Sequence, residues 1–345
     1  MIMLFAMFLL VALLGIGWLT RSMPKRQRKA LLGIATALFF LGFVLGIEIE
    51  RFETPREEAT TRGTNDPEDA SPPPMEGAGE IRVLSARDPE LPLTARERST
   101  LIATGMTRVS MPFGVLLAAD ERMPNAYVEQ SAAILAEMLD QDRDGVPDDP
   151  DLVALLTDRS SAWLAMPVDE GDWVREQLPE LEQVLGYDIV IPAWWLEPVP
   201  HGPDDHGRAV MVEEIHHFIT QFGLSRLHPE VFGVEDWNSV IAREAARARC
   251  DFWQHPENDC PGRPAEHPGD CSDPNCDVVE FFHQVVVLRA GMEPGWRGIG
   301  FPETPSELEA RLGDEIKAAI DAPEHHQIRV PLRFDYPVTS VGDRR

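Results

Sequence analysis

The sequence predicts two N-terminal transmembrane helices, a disordered linker and then an α+β extracytoplasmic domain dominated by helices, and three observations carry that expectation. Two charge-free apolar runs open the chain, a Pro-rich acidic stretch follows, and the remainder interleaves short strands with helical segments.

Residues 1–20 and 30–47 are each close to the roughly 20 apolar residues needed to cross a bilayer. Between them stand Arg21, Lys25, Arg26, Arg28 and Lys29, while Glu48 and Glu50 follow the second run. Positive loops stay cytoplasmic, so residues 1–50 read as a hairpin with both termini outside and the membrane as its partner. A cleaved signal peptide is the alternative for the first run, but its basic residues follow the apolar stretch instead of preceding it. Residues 51–100 are rich in Pro, Glu, Thr, Asp and Gly, the composition of an extended tether.

The chain carries 58 acidic against 31 basic residues, a net charge of -27. Such a surface excludes nucleic acid and anionic lipid as partners and suits a periplasmic or cell-surface domain that gathers divalent cations. Residues 101–345 hold seven of the eight tryptophans and enough apolar segments for one core. Strands are expected at 113–118, 163–167 and 188–192, with a last one at 328–335. Helices are expected at 125–139, from 151 onward, and at 172–185, 207–222, 237–253, 277–289 and 305–320.

The most specific signal lies between the first two of these helices. Asp140-Gln-Asp142-Arg-Asp144-Gly145-Val146-Pro-Asp148-Asp-Pro-Asp151 puts carboxylates at positions 1, 3, 5, 9 and 12 of a twelve-residue loop, with Gly at position 6. Calcium wants six to eight oxygens, and alternating Asp side chains in a turning loop aim several at one centre, with the Val146 carbonyl as a further ligand. The loop resembles an EF-hand, and its spacing is also similar to a thrombospondin type 3 repeat. The flanking helices and the single copy favour the first. Pro147 at position 8 and Asp151 in place of a longer Glu depart from it, and a solvated acidic turn is the alternative.

Cys250, Cys260, Cys271 and Cys276 fall in one stretch rich in Pro, Gly, Asp and Asn. In an exported domain they are expected to form two disulfides of undetermined pairing; zinc thiolate binding would favour a Cys-x-x-Cys spacing that is absent.

The candidate chemistry lies in Met211-Val-Glu213-Glu214-Ile-His216-His217-Phe. At helical spacing Glu213 and His217 share a face opposite an apolar stripe, and a Glu and a His four residues apart can hold one metal ion. The segment resembles the His-Glu-x-x-His helix of zincin metallopeptidases. That resemblance implies Glu213 in place of the first His, Glu214 as general base and His217 as the second ligand of a zinc ion. The third ligand is expected on the apolar helix at 277–289, whose narrow polar face holds Glu280, His283 and Gln284. Glu280 is the first choice, and Glu244 is a weaker one with arginines beside it. Glu213-x-x-His216 and Glu280-x-x-His283 also resemble the paired Glu-x-x-His motifs by which ferritin-like bundles hold two metals. An ordinary solvated Glu–His pair is the bland alternative.

No Gly-x-Ser-x-Gly elbow, phosphate loop or dinucleotide fingerprint is present. Trp194-Trp195 is a candidate stacking pair, with core packing the commoner role. Residues 111–337 resemble an uncharacterised family of bacterial extracytoplasmic proteins. It joins a helix-flanked calcium loop to a Glu-Glu-x-x-His helix, a Pro-Glu-Val-Phe-Gly segment (here Pro229 to Gly233) and a Cys-x-x-x-Glu helix (here Cys276 to Glu280). Two functions follow as expectations: a membrane-anchored calcium-binding protein with a zincin-like site acting on peptides or cell-envelope material, or a non-catalytic calcium-stabilised binding module.

Overall fold

Alternation along the strands decides the architecture. In Ala162–Met166 every residue is buried, and the two faces of the strand feed different cores. Ala162, Leu164 and Met166 belong to one apolar cluster, Trp163 and Ala165 to another. A strand buried on both faces belongs to a sheet with helices on both sides.

The computed structural model describes residues 81–197, 205–235, 237–249, 251–253 and 274–340. The two expected membrane runs, most of the linker, and Cys250, Cys260 and Cys271 lie outside the described residues. Among the described residues no helix is long and apolar enough to cross a membrane.

The described part is a mixed α/β domain built on one six-stranded sheet. In chain order the strands are β1 (Ile81–Ser85), β2 (Arg108–Ser110), β3 (Leu117–Ala119), β4 (Ala162–Met166), β5 (Tyr187–Val190) and β6 (Val338–Ser340). They lie in the order β5-β4-β3-β2-β1-β6. The β1–β2 and β2–β3 pairs are antiparallel, and the other three are parallel. Helix α1 (Ala95–Ala103) and the helical run Glu170–Asp172, Trp173–Gln177 and Leu178–Leu181, whose middle is π-helical, cover one face through Leu101, Trp173 and Leu181.

The other face carries the larger core and both candidate sites. Helix α2 (Asn125–Leu139), the acidic loop and helix α3 (Pro150–Leu156) together form the crossover between the parallel strands β3 and β4. The crossover length and the turn-forming Asp, Gly and Pro residues fix the loop at the end of α2. Helix α4 (His206–Phe218) runs on into a π-helical turn at Ile219–Leu224 and packs against α2, β4 and β5. Helix α5 (Val240–Arg249) and helix α6 (Pro274–Arg289) follow, and α6 packs against both α4 and α5. Eight apolar side chains of α6, from Val278 to Leu288, are buried, each contributing on the order of 1.5–3 kcal/mol. Helices α7 (Pro305–Arg311) and α8 (Asp314–Asp321) complete the layer.

Several expectations are corrected. Residues 81–100, expected as the end of the linker, carry β1 and the start of α1. The signals were local: Ile81, Val83 and Leu84 are buried by pairing with β2 and β6, and Thr94 and Glu97 make a capping box for α1. The strand expected at 113–118 shrinks to β3, because Pro112 starts a 3-10 turn in which Phe113 takes φ +52. The helix expected at 305–320 breaks at Gly313, whose N–H donates to Glu244 instead of continuing the ladder. Residues 328–335 form no strand. Phe334 takes φ +60, and the N–H groups of Arg333 and Phe334 both donate to the Glu137 carboxylate, so this segment is an irregular strap leading into β6.

Candidate metal centre

Helix α4 brings its Glu-Glu-x-His-His face against α6 because both helices are too apolar to stand in water. Met211, Ile215 and Phe218 of α4 are fully buried in the core, as are Phe281, Phe282 and Val285 of α6. The polar residues between them have nowhere to go but into the seam.

There Glu213, His217 and Glu280 meet, with one ligand atom from each lying within 4.8 Å of the others. His217 Nε2 stands 3.8 Å from Glu280 Oε2. Both atoms are buried without a hydrogen-bond partner. Zinc–nitrogen and zinc–oxygen bonds of about 2.0–2.2 Å at tetrahedral angles place ligand atoms roughly 3.3–3.5 Å apart, so a shift of a few tenths of an ångström would close this pair on an ion. The three residues could therefore hold a metal ion.

The electrostatics of the empty seam are those of a neutral pocket. Burial, followed by the adjacent Glu214 carboxylate, raises the Glu213 carboxyl to about 8. Burial likewise raises Glu214 to about 8. Burial does the same for Glu280, which His217 pulls back and Glu213 and Glu214 push further, again to about 8. The histidines move the other way. Burial lowers His217 against the pull of Glu280, and burial with the neighbouring His217 lowers His216 to about 3. Neutral imidazoles are the ligating form, and bound metal would displace the carboxyl protons.

Glu214 does not share the Glu280 side of His217. Its Oε2 lies 3.7 Å from Nδ1, the ring nitrogen opposite the one facing Glu280. His216 is engaged elsewhere: its Nδ1 is 3.4 Å from the Thr220 hydroxyl, and the Gln327 side chain hydrogen-bonds the ring. His283 packs between the two, with ring centroids 5.6 Å from His216 and 5.4 Å from His217. Glu244 is not part of the centre. Its carboxylate takes two bonds from Arg247 and one from the Gly313 N–H, which ties α5 to the start of α8.

One residue of the centre has no signal in the sequence. A Cβ on Gly295 would come within 2.8 Å of Glu213 Oε2 and 3.1 Å of the Ala209 carbonyl carbon, so the 295 position must be glycine for the carboxylate to sit where it does. Gln327 and Thr220, which hold His216, were equally silent, since their roles depend on packing between distant segments.

At the acidic loop, Asp140, Asp142 and Asp148 come together with ligand atoms within 4.8 Å of one another. Gly145 takes φ +87 at the sharp turn, and its N–H donates to Asp140 Oδ2 at 2.9 Å. The Asp144 N–H donates to both Asp140 and Asp142 at 3.1 Å. Burial, with the Asp142 and Asp140 carboxylates adding to it, raises the Asp148 carboxyl. Asp144 and Asp151 stand outside this group of carboxylates: the Asp144 side chain accepts from the Val146 N–H, and Asp151 lies in the exposed first turn of α3.

The C-terminal strap lies against this loop. The Tyr336 hydroxyl donates to Asp140 Oδ2, Arg143 pairs with Asp335, and the Gln141 amide donates to the His326 carbonyl. Trp194 and Trp195 meet edge to face with centroids 6.5 Å apart, and Trp195 is 47% exposed. Comparison with protein-family models, curated proteins and solved structures finds no match, so the functional reading rests on these two clusters of ligands.

Proposed function

We propose that this is a membrane-anchored extracytoplasmic metalloprotein. Its acidic loop binds calcium, and its Glu213, His217 and Glu280 hold a transition ion, zinc being the expected one, at a centre that hydrolyses peptides or cell-envelope material. The convergence of these three side chains from two helices, with unpartnered buried nitrogen and oxygen facing each other, carries the reading. Three protein ligands leave a fourth position, and a metal held there supplies Lewis acidity and a water of lowered pKa.

The chain's own residues divide the remaining work. Glu213 and Glu280 provide counter-charge, and His217 is aimed by its neighbours. Glu214 was expected as general base, yet its place against Nδ1 of His217 suits a carboxylate that orients the liganding ring. The two roles separate by experiment. With a general base, Glu214→Gln abolishes hydrolysis while the metal is retained; with an orienting group, metal affinity falls about 10–100-fold as well.

The test is metal analysis of the purified full-length protein, with peptidase and cell-wall hydrolase assays on the wild type, Glu214→Gln and His217→Ala. Co-purification of a transition ion that His217→Ala loses supports the centre. If no transition ion co-purifies or rebinds, the proposal fails. A second reading has one observation in its favour. The side chains of His217 and Glu280 are only 6% and 18% exposed, which suits a structural ion in a non-catalytic binding module. Bound metal without measurable hydrolysis would select it.

A further inference from the structure

The single-ion site uses three of the ionisable side chains in the α4–α6 seam and leaves one unexplained. His283 is fully buried, and neither of its ring nitrogens has a hydrogen-bond partner. An unsatisfied buried polar group costs about 1–3 kcal/mol, and a valine or leucine would pack at this otherwise apolar position without that cost. Its neighbour His216 shows the contrast, being held by Thr220 and Gln327.

The surroundings say what would satisfy His283. The two Glu-x-x-His segments meet like against like: a carboxylate oxygen of Glu213 lies within 4.8 Å of one of Glu280, and the His216 and His283 ring centroids are 5.6 Å apart. Glu280 lies one helical turn before His283 on the same face of α6. A carboxylate has two oxygens and can bridge two ions about 3.5–4 Å apart.

We propose that the centre is dinuclear: a second divalent transition ion binds beside the first, takes His283 as its nitrogen ligand and shares the Glu280 carboxylate. This rests on the single-ion reading above and extends it. Glu280 faces His217 across the seam and precedes His283 by one turn on its own helix, the His283 ring stands 5.4 Å from that of His217, and the second ion gives the orphaned ring a partner.

The experiment counts ions. Full-length protein is stripped by chelation, kept in millimolar calcium so that the acidic loop is filled, and titrated with cobalt(II). Bound equivalents are measured by equilibrium dialysis and elemental analysis, and coupling between ions by electron paramagnetic resonance. The wild type is expected to bind two equivalents, with less signal per cobalt at two equivalents than at one because bridged ions couple. His283→Ala is expected to bind one, and His283→Gln serves the same purpose should the alanine variant fail to fold. Saturation of the wild type at one equivalent, or two equivalents retained by the His283 variants, overturns the dinuclear proposal while leaving the single-ion reading intact. No bound equivalent at all removes both.

Discussion

Glu137→Ala tests how the acidic loop is braced. Glu137 is buried near the end of α2, and its two oxygens accept from the backbone N–H groups of Arg333 and Phe334 at 2.7 and 2.8 Å. Charge-assisted hydrogen bonds contribute roughly 1.5–3 kcal/mol each, so the pair is worth about 3–6 kcal/mol. Arg143 adds little, because it stands 3.7 Å from Glu137 and keeps Asp335 as its partner. The strap is at the surface and its freed N–H groups recover water, which brings the expected loss to about 3–4 kcal/mol. For a domain of this size that is a fall in Tm of roughly 10 °C. Glu137→Gln, which keeps one acceptor, should lose about half as much.

The same variant makes a second demand. The strap carries Tyr336 to Asp140 and Asp335 to Arg143, so its release should weaken calcium binding. Leu181→Ala, a cavity of similar cost in the core on the other face of the sheet, should leave calcium affinity unchanged. The assay is urea unfolding of full-length protein, with calcium titrated calorimetrically. A Glu137→Ala loss below about 1 kcal/mol, or equal calcium weakening in both variants, would refute the bracing argument.

Three further outcomes follow from the geometry. Asp142 is exposed and makes one loop hydrogen bond, so Asp142→Ala should lower calcium affinity at least tenfold while changing calcium-free stability by less than about 0.5 kcal/mol, read by thermal melts with and without chelator. Gly295→Ala should displace the Glu213 carboxylate and weaken transition-metal binding without removing a ligand; unchanged cobalt affinity would show that the close approach does not matter. Burial, with Glu182 adding to it, raises the Asp188 carboxyl to about 6. A raised carboxyl favours the folded state most at low pH and loses that contribution as pH climbs from about 4 to about 6. Asp188→Asn should therefore stabilise the protein by about 1–2 kcal/mol at pH 7, discounted for partial exposure, and by nothing at pH 3.5; an equal gain at both pH values would contradict the assignment.

The parts of the fold legible in the sequence are those written in one local period. Helix α2 spans 125–139 as its apolar spacing implies, and β4 and β5 fall within a residue or two of the bounds expected from their apolar runs. Elements governed by distant partners were not legible. The β6 strand is only three residues long and owes its position to pairing with β1, while the strap before it is shaped by Glu137. The π-helical turn after Phe218 shifts the register of the α4 face beyond the candidate ligands, which a uniform 100° period misses. At the centre, the Glu-x-x-x-His spacing pointed to Glu213 and His217, and a carboxylate in an apolar helix pointed to Glu280. Glu244, the weaker candidate with arginines beside it, pairs with Arg247 as that spacing allows, whereas the Gly313 N–H that completes its bonding lies 69 residues away.

The substitution that most weakens the zincin analogy also accounts for the burial of the site. A divalent ion on two histidines and one carboxylate carries net positive charge, and a low-dielectric pocket charges heavily for that. With Glu213 in place of the first histidine, two carboxylates and one neutral imidazole would hold a divalent ion as a neutral unit. That unit can sit in a seam where Glu213 is only 8% exposed. The change has a chemical consequence, since anionic oxygen ligands neutralise the ion and reduce its pull on bound water. They also suit manganese and iron as well as zinc. A second ion on His283, as proposed above, would restore positive charge, and with it Lewis acidity, to a centre that the carboxylates alone would leave weakly activating. The glutamate that departs from the peptidase pattern and the histidine without a partner would then be two parts of one design: carboxylates to let the metal be buried, and a second metal to keep it reactive.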